Sequence, residues 1–236
     1  MLKFGLRKCY NLSMDNIVGR LKSLFPHNQL QLILGSLMGD ARLECRSKEI
    51  RAKYTARLRI HQSDKQKDYV FWKYRNLKNL VSRGPRFTKV WHDPKRNKDH
   101  YSWYFHTQSN ETLGYIHRLF YKNGVKTLPK ELLSLLEPLG LAAWYMDDGS
   151  NNGRNITLNT HCFSREEQEF LQDLLLIKFR IMTTIVKDRS KLKLAIGSNQ
   201  YQKFTDIIRP FVIKSMSYKI FSPRNDLPQM RQTAIL

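Results

Sequence analysis

Two aspartates, Asp40 and Asp148, each stand near the end of an apolar stretch, and they lie 108 positions apart. The stretches Leu32–Asp40 and Leu141–Gly149 have the composition of buried helices. A carboxylate at the C-terminal end of a helix meets the negative end of the helix dipole, which disfavours it by about 0.3–1 kcal/mol. A divalent cation shared by both carboxylates would compensate, and hard oxygen ligands suit Mg²⁺, with Mn²⁺ as an alternative. The pattern indicates metal-assisted chemistry at Asp40 and Asp148.

Small residues follow one side of each apolar stretch, and they would let two helix backbones approach closely. The first stretch contains Gly35, Ser36 and Gly39, and the second contains Ala142 and Ala143. We expect the two helices to pack against each other and to bring the two acids together. On spacing alone, an ordinary buried helical hairpin without catalysis explains the same pattern.

The elements that would position the acids occur in the same order in both halves of the chain. A short amphipathic helix over 15–28 precedes the first motif helix. Hydrophobic periodicity and turn residues then predict these elements of the first half: a strand over Tyr54–Ile60, a helix over 65–81, strands over Arg86–Trp91 and Tyr101–Thr107, and a helix over 110–121. In the second half they predict a motif helix over 138–148, a strand over 155–161, a helix over 165–179, strands over 181–188 and 191–197, and a helix over 199–209. We therefore predict an α/β (α+β) fold made of two pseudo-symmetric αββαββα subdomains with antiparallel sheets.

Net charge points to a polyanionic partner. The chain has 41 Lys and Arg against 20 Asp and Glu, a net charge of +21. Between positions 42 and 105 there are 18 Lys and Arg and 6 Asp and Glu, so 12 of the net charges fall in that segment, interleaved with aromatic residues. Such an excess is typical of nucleic-acid-binding proteins. No apolar run approaches the ~18–20 residues of a membrane-spanning helix.

Alternating basic residues on the predicted strands are candidates for DNA contacts. Apolar and basic residues alternate in both halves, which gives a half-exposed strand with a basic outer face. A solvated strand face is the alternative, and the repetition across both halves favours DNA. The candidate DNA-binding residues are Arg57, Arg59, His61, Arg86, Lys89, His161, Lys191 and Lys193.

Cysteine usage and the N-terminus bear on the compartment. Cys9, Cys45 and Cys162 are odd in number and widely spaced, which argues against a disulfide framework or a thiolate zinc site and for a reducing compartment. The first fourteen residues are basic and contain no acid. They are consistent with an organellar targeting peptide or with a basic segment that touches nucleic acid.

With these motifs in place, the chain resembles the LAGLIDADG homing endonuclease family in its single-chain, two-motif branch. The first motif, Ile33–Ala41, keeps Gly35 and Asp40 but has Ala41 where the family usually has glycine, and the second, Leu141–Gly149, matches more closely. The resemblance extends over residues 28–228, through Lys126-Thr127-Leu128-Pro129, Leu158-Asn159-Thr160 and Ser217-Tyr218-Lys219. It is closest to enzymes encoded by mobile introns of fungal and algal organelles.

The resemblance implies roles for particular residues. Asp40 and Asp148 would be the metal-binding catalytic acids, with Asp147 in support. Lys126 and Lys219 would each stand near one active centre, although either could merely contact backbone phosphate. Gln62 and Asn159 would orient the attacking water, with His61 and His161 either sharing that role or acting as strand-end hydrogen-bonding groups.

The resemblance also implies a function. We expect a monomeric, Mg²⁺-dependent enzyme that makes a staggered double-strand break in a long asymmetric DNA site, in an organelle, with a mitochondrion favoured over a chloroplast. The expected domains are an N-terminal segment (1–27), a first repeat (28–125) and a second repeat (126–236). The main alternative is an intron maturase, a protein that binds intron RNA and assists splicing. A ribosome-associated structural protein is a third interpretation, which the repeated plan disfavours.

Overall fold

A computed structural model describes residues 24–45, 54–153 and 155–220, together with Gly19 and Leu21. Most of the predicted helix over 15–28, and all residues from 221 onward, therefore lie outside the described residues. Across the described ranges, no helix combines the length and the apolar character needed to cross a membrane.

The described part of the first half includes three α-helices and a four-stranded sheet. The helices are α1 (His27–Met38), α2 (Lys67–Asn76) and α3 (Glu111–Phe120). The strands are β1 (Arg42–Cys45), β2 (Ala56–Ser63), β3 (Arg86–Asp93) and β4 (Lys98–His106). A short hairpin of β5 (Tyr121–Lys122) and β6 (Val125–Lys126) follows. Its two-residue turn, Asn123-Gly124, has φ of 51° and 78°, which the Asn-Gly sequence favours.

The second half repeats the arrangement. After α4 (Lys130–Leu133), its elements are α5 (Pro138–Asp148), β7 (Gly149–Asn151), β8 (Ile156–Leu158), α6 (Arg165–Phe179), β9 (Thr184–Asp188), β10 (Lys191–Ile196) and α7 (Ser198–Ile208). Two 3₁₀ segments, Arg209–Phe211 and Lys214–Lys219, end the described chain.

Each half forms one antiparallel sheet with the same strand order. Sheet A runs β1-β2-β4-β3 and sheet B runs β7-β8-β10-β9. Matching orders are what a duplicated unit requires, so the predicted fold class of two αββαββα subdomains is confirmed.

Helices cover one face of each sheet and leave the other face polar. Along β2, burial alternates strictly from Ala56 to Gln62, so Leu58 and Ile60 face the helices while Arg57 and Arg59 face away. Helices α1 and α5 pack against each other and are buried along almost their whole lengths, from Leu30 to Met38 and from Gly140 to Asp147. The two motif helices therefore form the centre of the core.

Local sequence signals predicted the starts of two helices correctly, but one helix was predicted too long and two strands were not predicted. Pro138 in the first turn of α5 and the Ser164–Glu167 capping box of α6 fix the starts of those helices where the sequence predicts them. The predicted helix over 65–81 is too long, because only Lys67–Asn76 is α-helical. Strands β1 and β7, which directly follow the two acids, are absent from the sequence-based prediction.

Candidate active site

Close packing of α1 against α5 brings Asp40 and Asp148 together. A Cβ added at Gly35 would lie 2.1 Å from the carbonyl oxygen of Gly140 and 2.9 Å from the Ala143 Cβ, so only glycine fits there. Helix α1 ends two residues before Asp40, and α5 ends at Asp148. The Asp40 carboxyl is close enough to the Asp148 carboxyl for its negative charge to raise the pKa of Asp148.

The Asp148 carboxyl is partly buried and close to two other acids. Burial, and then the negative charges of Asp40 and Asp147, raise its pKa to about 7, with Lys126 opposing. Two carboxylates held this close repel each other when both are ionised. A bound dication would relieve that repulsion, and Mg²⁺ ordinarily takes one or two carboxylates together with water and substrate phosphate oxygens.

The donor set therefore fits a hard divalent cation held by Asp40 and Asp148. Within the described ranges, no group of three or more His, Cys, Asp or Glu side chains is placed to hold a metal ion. Two carboxylates alone do not fill the coordination shell of such a cation, so water and substrate oxygens would supply the remaining ligands.

A lysine lies at the end of each motif helix. Lys126, on β6, donates to the carbonyl oxygens of Gly39 (3.1 Å) and Ala41 (3.5 Å), the residues on either side of Asp40. Lys219 donates to the carbonyl oxygens of Met146 and Asp147, just before Asp148. Both ammonium groups thus satisfy backbone acceptors at a helix C-terminus, where cations are favoured. Burial lowers the pKa of Lys126 and of Lys219, and the nearby aspartates oppose that shift.

Gln62 and Asn159 reach the two acids in different ways. The Gln62 side-chain amide donates to Asp40 Oδ2 at 2.9 Å and to Asp147 Oδ1 at 3.1 Å. Asn159 meets Asp148 through its backbone, whose N–H donates to the Asp148 carbonyl oxygen at 3.1 Å. The two halves of the site are therefore not equivalent.

A buried ion pair between Lys73 and Asp147 contacts Gln62 and joins the two halves. Lys73 Nζ, on α2, donates to both carboxylate oxygens of Asp147, on α5, at 2.7 and 2.8 Å. Both side chains have 0% exposure. Burial raises the pKa of the Asp147 carboxyl, and the Lys73 ammonium in contact opposes that shift.

A cavity of about 390 Å³ opens beside Asp40. It lies between the end of β2 and the β3–β4 hairpin, with His61 and Gln62 on one side and Trp91 and His100 on the other. His61 Nε2 lies 2.6 Å from Ser102 Oγ, and burial lowers the pKa of the His61 ring, with Arg59 and Arg42 adding to the shift. His61 therefore faces the approach to Asp40 on the polar side of sheet A.

Arginines on the polar face of sheet A are gathered around one acid. Arg57 donates through Nε and Nη2 to Glu44 Oε2 at 2.9 and 2.7 Å. Arg42 Nη2 is 2.7 Å from Glu44 Oε1, and Arg59 Nη1 is 3.4 Å from the same oxygen. Burial would raise the Glu44 pKa, but the hydrogen bonds and charges of Arg57 and Arg42 prevail and lower it to about 2. The predicted basic face thus has an internal counter-ion.

The remaining candidate DNA-binding residues are divided among different surfaces. Arg86 is exposed and pairs with Tyr104 in the ladder, on the Arg57 side of sheet A. Lys89 lies three residues further along β3, so it projects from the opposite face, where its Nζ is 2.7 Å from Asp99 Oδ1. A DNA molecule lying on the Arg57 side of sheet A would therefore contact Arg86 but not Lys89.

Sheet B carries its cations around a second acid. Lys193 Nζ donates to Asp188 Oδ2 at 2.9 Å, and His161 Nε2 lies 3.1 Å from the same oxygen. Lys191 is exposed and lies on the same face as Lys193. His161 therefore contacts Asp188 on the face that carries Lys191 and Lys193, which agrees with the strand-end alternative for that residue.

Sequence reasoning missed Lys73 and Glu44. The available signal for Lys73 was its position on the buried stripe of α2, since Tyr69, Val70, Lys73 and Leu77 are all fully buried at helical spacing. A lysine on such a stripe needs a buried acid as its partner, and Asp147 is the acid that interrupts the apolar run of α5.

The fold and the paired acids define a class of protein with two related halves, each of which contributes one acid at the end of a packed motif helix. The chain belongs to the LAGLIDADG DNA endonuclease family, whose model matches residues 30–204. The resemblance inferred from the two motifs is thereby confirmed.

Individual relatives include both endonucleases and maturases. DNA endonuclease I-ChuI from Chlamydomonas applanata is 31% identical over 208 residues, which cover 81% of this chain and 94% of that protein. Cytochrome b mRNA maturase bI2 from Saccharomyces cerevisiae is 28% identical over 222 residues, which cover 89% of this chain and 52% of the maturase. This chain therefore spans about half the length of that maturase.

A solved structure shares the whole fold. The homing endonuclease I-WcaI, bound to its DNA recognition sequence, matches with a TM-score of 0.75 at 22% identity, and the match covers 92% of this chain and 96% of that one. The two-subdomain architecture therefore extends over almost the entire described chain.

Proposed function

We propose that this protein is a site-specific DNA endonuclease that makes a staggered double-strand break at a long asymmetric target by metal-dependent hydrolysis. The observation that carries the proposal is the meeting of Asp40 and Asp148 at the ends of the packed helices α1 and α5. Two carboxylates on a pseudo-two-fold axis can serve two scissile phosphates, one on each strand.

Asp40 and Asp148 would hold the metal, Mg²⁺ by preference and Mn²⁺ as a substitute. When bound, the metal would lower the pKa of a coordinated water and neutralise charge on the phosphate. Gln62 and Asn159 would orient the attacking water from the two sides of the site. Lys126 and Lys219 would add positive charge near the phosphate oxygens, where negative charge develops in the transition state.

Recognition would use the polar faces of sheets A and B. Arg57, Arg59 and Arg86 on sheet A and Lys191 and Lys193 on sheet B would contact the major groove, since arginine and lysine donate to guanine O6 and N7. Phosphate contacts would supply much of the affinity, so binding should weaken steeply with salt.

The direct test is selection of cut sites from a randomised double-stranded DNA library. Purified protein with Mg²⁺ should enrich one long asymmetric sequence, cut with a fixed stagger, and EDTA should abolish the cutting. If neither Mg²⁺ nor Mn²⁺ yields any cut sequence, while the protein remains folded and binds DNA, then the endonuclease proposal is wrong.

A second candidate function is assistance of intron splicing, which the alignment with the bI2 maturase over 89% of this chain favours. RNA binding alone gives no reason to keep two carboxylates facing a polyanion, so the endonuclease is preferred. Tight binding to the chain's own intron RNA in EDTA, with faster splicing in vitro and no DNA cutting, would reverse this order.

We also infer the oligomeric state, the domain organisation and the cellular location of the protein. One chain supplies both acids, so we infer a monomer with repeats over 28–125 and 126–236, following an N-terminal segment over 1–27. Relatives named as intron-encoded or as cytochrome b maturases support action in an organelle, and we favour a mitochondrion. Size measurement in solution and imaging of the tagged full-length protein would test these two points.

A further inference from the structure

We propose that Lys73 is a positioning residue for the Asp40 side of the active centre, acting through Asp147 and Gln62. The inference rests on the proposed endonuclease function. Nothing in the two motifs assigns Lys73 a role, because it lies on α2, outside both motifs.

Lys73 is fully buried. Its ammonium donates to both oxygens of Asp147 and lies 4.4 Å from the centre of the Tyr69 ring. With 0% exposure on both sides, the pair has exchanged its hydration for one fixed geometry. A buried ion pair is weak evidence for stability, so a role in specifying geometry is the better explanation for its presence.

The Lys73–Asp147 pair orients the side-chain amide of Gln62. The Gln62 amide nitrogen has two hydrogens, and it lies 2.9 Å from Asp40 Oδ2 and 3.1 Å from Asp147 Oδ1. An ionised carboxylate only accepts hydrogen bonds, so the paired Asp147 holds the NH₂ end of Gln62 toward Asp40 and turns its Oε1 away. Lys73 thereby fixes the orientation of Asp40 without touching it.

The two motifs differ in the residue that precedes the metal-binding acid. The residue before Asp40 is Gly39, whereas the residue before Asp148 is Asp147. A Cβ added at Gly39 would lie 2.3 Å from the Asp147 Cβ, so the first motif leaves room for the acid of the second. Gln62 thus links Asp147 to Asp40, whereas Asn159 meets Asp148 through a backbone hydrogen bond. We therefore expect the relay from Lys73 through Asp147 and Gln62 to act mainly on the Asp40 side.

The test compares Lys73→Met with Lys78→Met, a matched change at an exposed lysine just beyond the same helix. Each strand of the selected target is labelled separately, and both nicking rates are measured at saturating protein. Loss of an outer residue that orients a metal ligand typically costs about 10–100-fold in activity. We expect Lys73→Met to slow one strand by about that factor and the other strand much less, and Gln62→Ala to slow the same strand.

A structural readout that needs no cleavage accompanies the rates. The ¹⁵N–¹H side-chain amide pair of Gln62, assigned by its loss in Gln62→Ala, should shift or broaden in Lys73→Met and stay unchanged in Lys78→Met. If Lys73→Met does not fold, the double variant Lys73→Met/Asp147→Leu removes both charges and takes its place.

The outcomes separate this inference from the proposed function. Strand-selective slowing together with a displaced Gln62 signal supports the relay. Equal slowing of both strands, or an unchanged Gln62 signal, overturns the relay and leaves the endonuclease intact. A wild-type protein that cuts no DNA overturns the endonuclease proposal, and the relay in metal-free protein is then judged by the Gln62 signal alone.

Discussion

The contact between α1 and α5 at Gly35 supports a quantitative prediction. In Gly35→Ala the new Cβ would start 2.1 Å from the Gly140 carbonyl oxygen, which is backbone and cannot rotate away. An ordinary carbon–oxygen contact is about 3.3 Å or more, so the helices must separate by roughly 1 Å. Overpacking of this kind costs about 1–3 kcal/mol, and the better helix propensity of alanine returns up to about 1 kcal/mol.

We therefore expect Gly35→Ala to lower the free energy of unfolding by about 1–2 kcal/mol, measured by urea denaturation. Gly84→Ala is the matched control, since its Cβ would come no closer than 3.7 Å to any atom of Tyr74. That change should leave stability within about 0.5 kcal/mol of wild type.

The same separation should disturb catalysis more than stability. Asp40 and Asp148 lie at the ends of the displaced helices, and a misplacement of about 1 Å can cost on the order of 100-fold in rate. The assay is single-turnover cleavage of the selected target at a temperature where Gly35→Ala is fully folded. If Gly35→Ala matches wild type in both stability and rate, then close packing of the motif helices does not position the acids.

Other predictions concern the charges around the site. Lys219→Met removes the cation that donates hydrogen bonds to the carbonyl oxygens of Met146 and Asp147. We therefore expect the free energy of unfolding, measured with urea, to fall by about 1.5–3 kcal/mol. An unchanged free energy of unfolding would mean that these hydrogen bonds do not stabilise the fold. Glu44→Gln frees Arg57 for phosphate, so affinity for unrelated DNA should rise and the slope of log K against log[salt] should steepen by about one unit; an unchanged slope would mean that Glu44 does not restrain Arg57. The pKa of Glu44 is about 2 in the folded protein against 4.5 for an unperturbed glutamate carboxyl, so it stabilises the fold above pH 4.5, and this contribution is lost as pH falls toward 2. The stability of Glu44→Gln should therefore fall less steeply over that pH window; parallel curves would contradict the assignment.

Elements with local signals were predictable from the sequence. The starts of α5 and α6 follow from Pro138 and from the Ser164–Glu167 capping box, which act within a few residues of each helix start. The duplication follows from the repeated order of elements. The approach of Asp40 to Asp148 follows from small residues such as Gly35, whose spacing is visible in the chain.

Features that depend on distant partners were not predictable. Strand β1 is four residues long and is defined by its pairing with β2, not by its own composition. Lys73 pairs with Asp147 across 74 positions, and no local rule links a lysine on one helix to an acid on another. Glu44 gathers Arg57 and Arg59 only because β1 and β2 are antiparallel neighbours. The opposite facing of Arg86 and Lys89, by contrast, was predictable, because side chains three positions apart on one strand point to opposite faces.

The most direct test of the account is cleavage of the selected target, with Mg²⁺, by Asp40→Asn and Asp148→Asn. Each change keeps the size of the side chain but removes the negative charge that would hold the metal. We predict that either variant folds, binds the target in EDTA as wild type does, and makes no double-strand break. Double-strand breaks made by both variants at the wild-type rate would contradict the claim that these two aspartates form one catalytic centre.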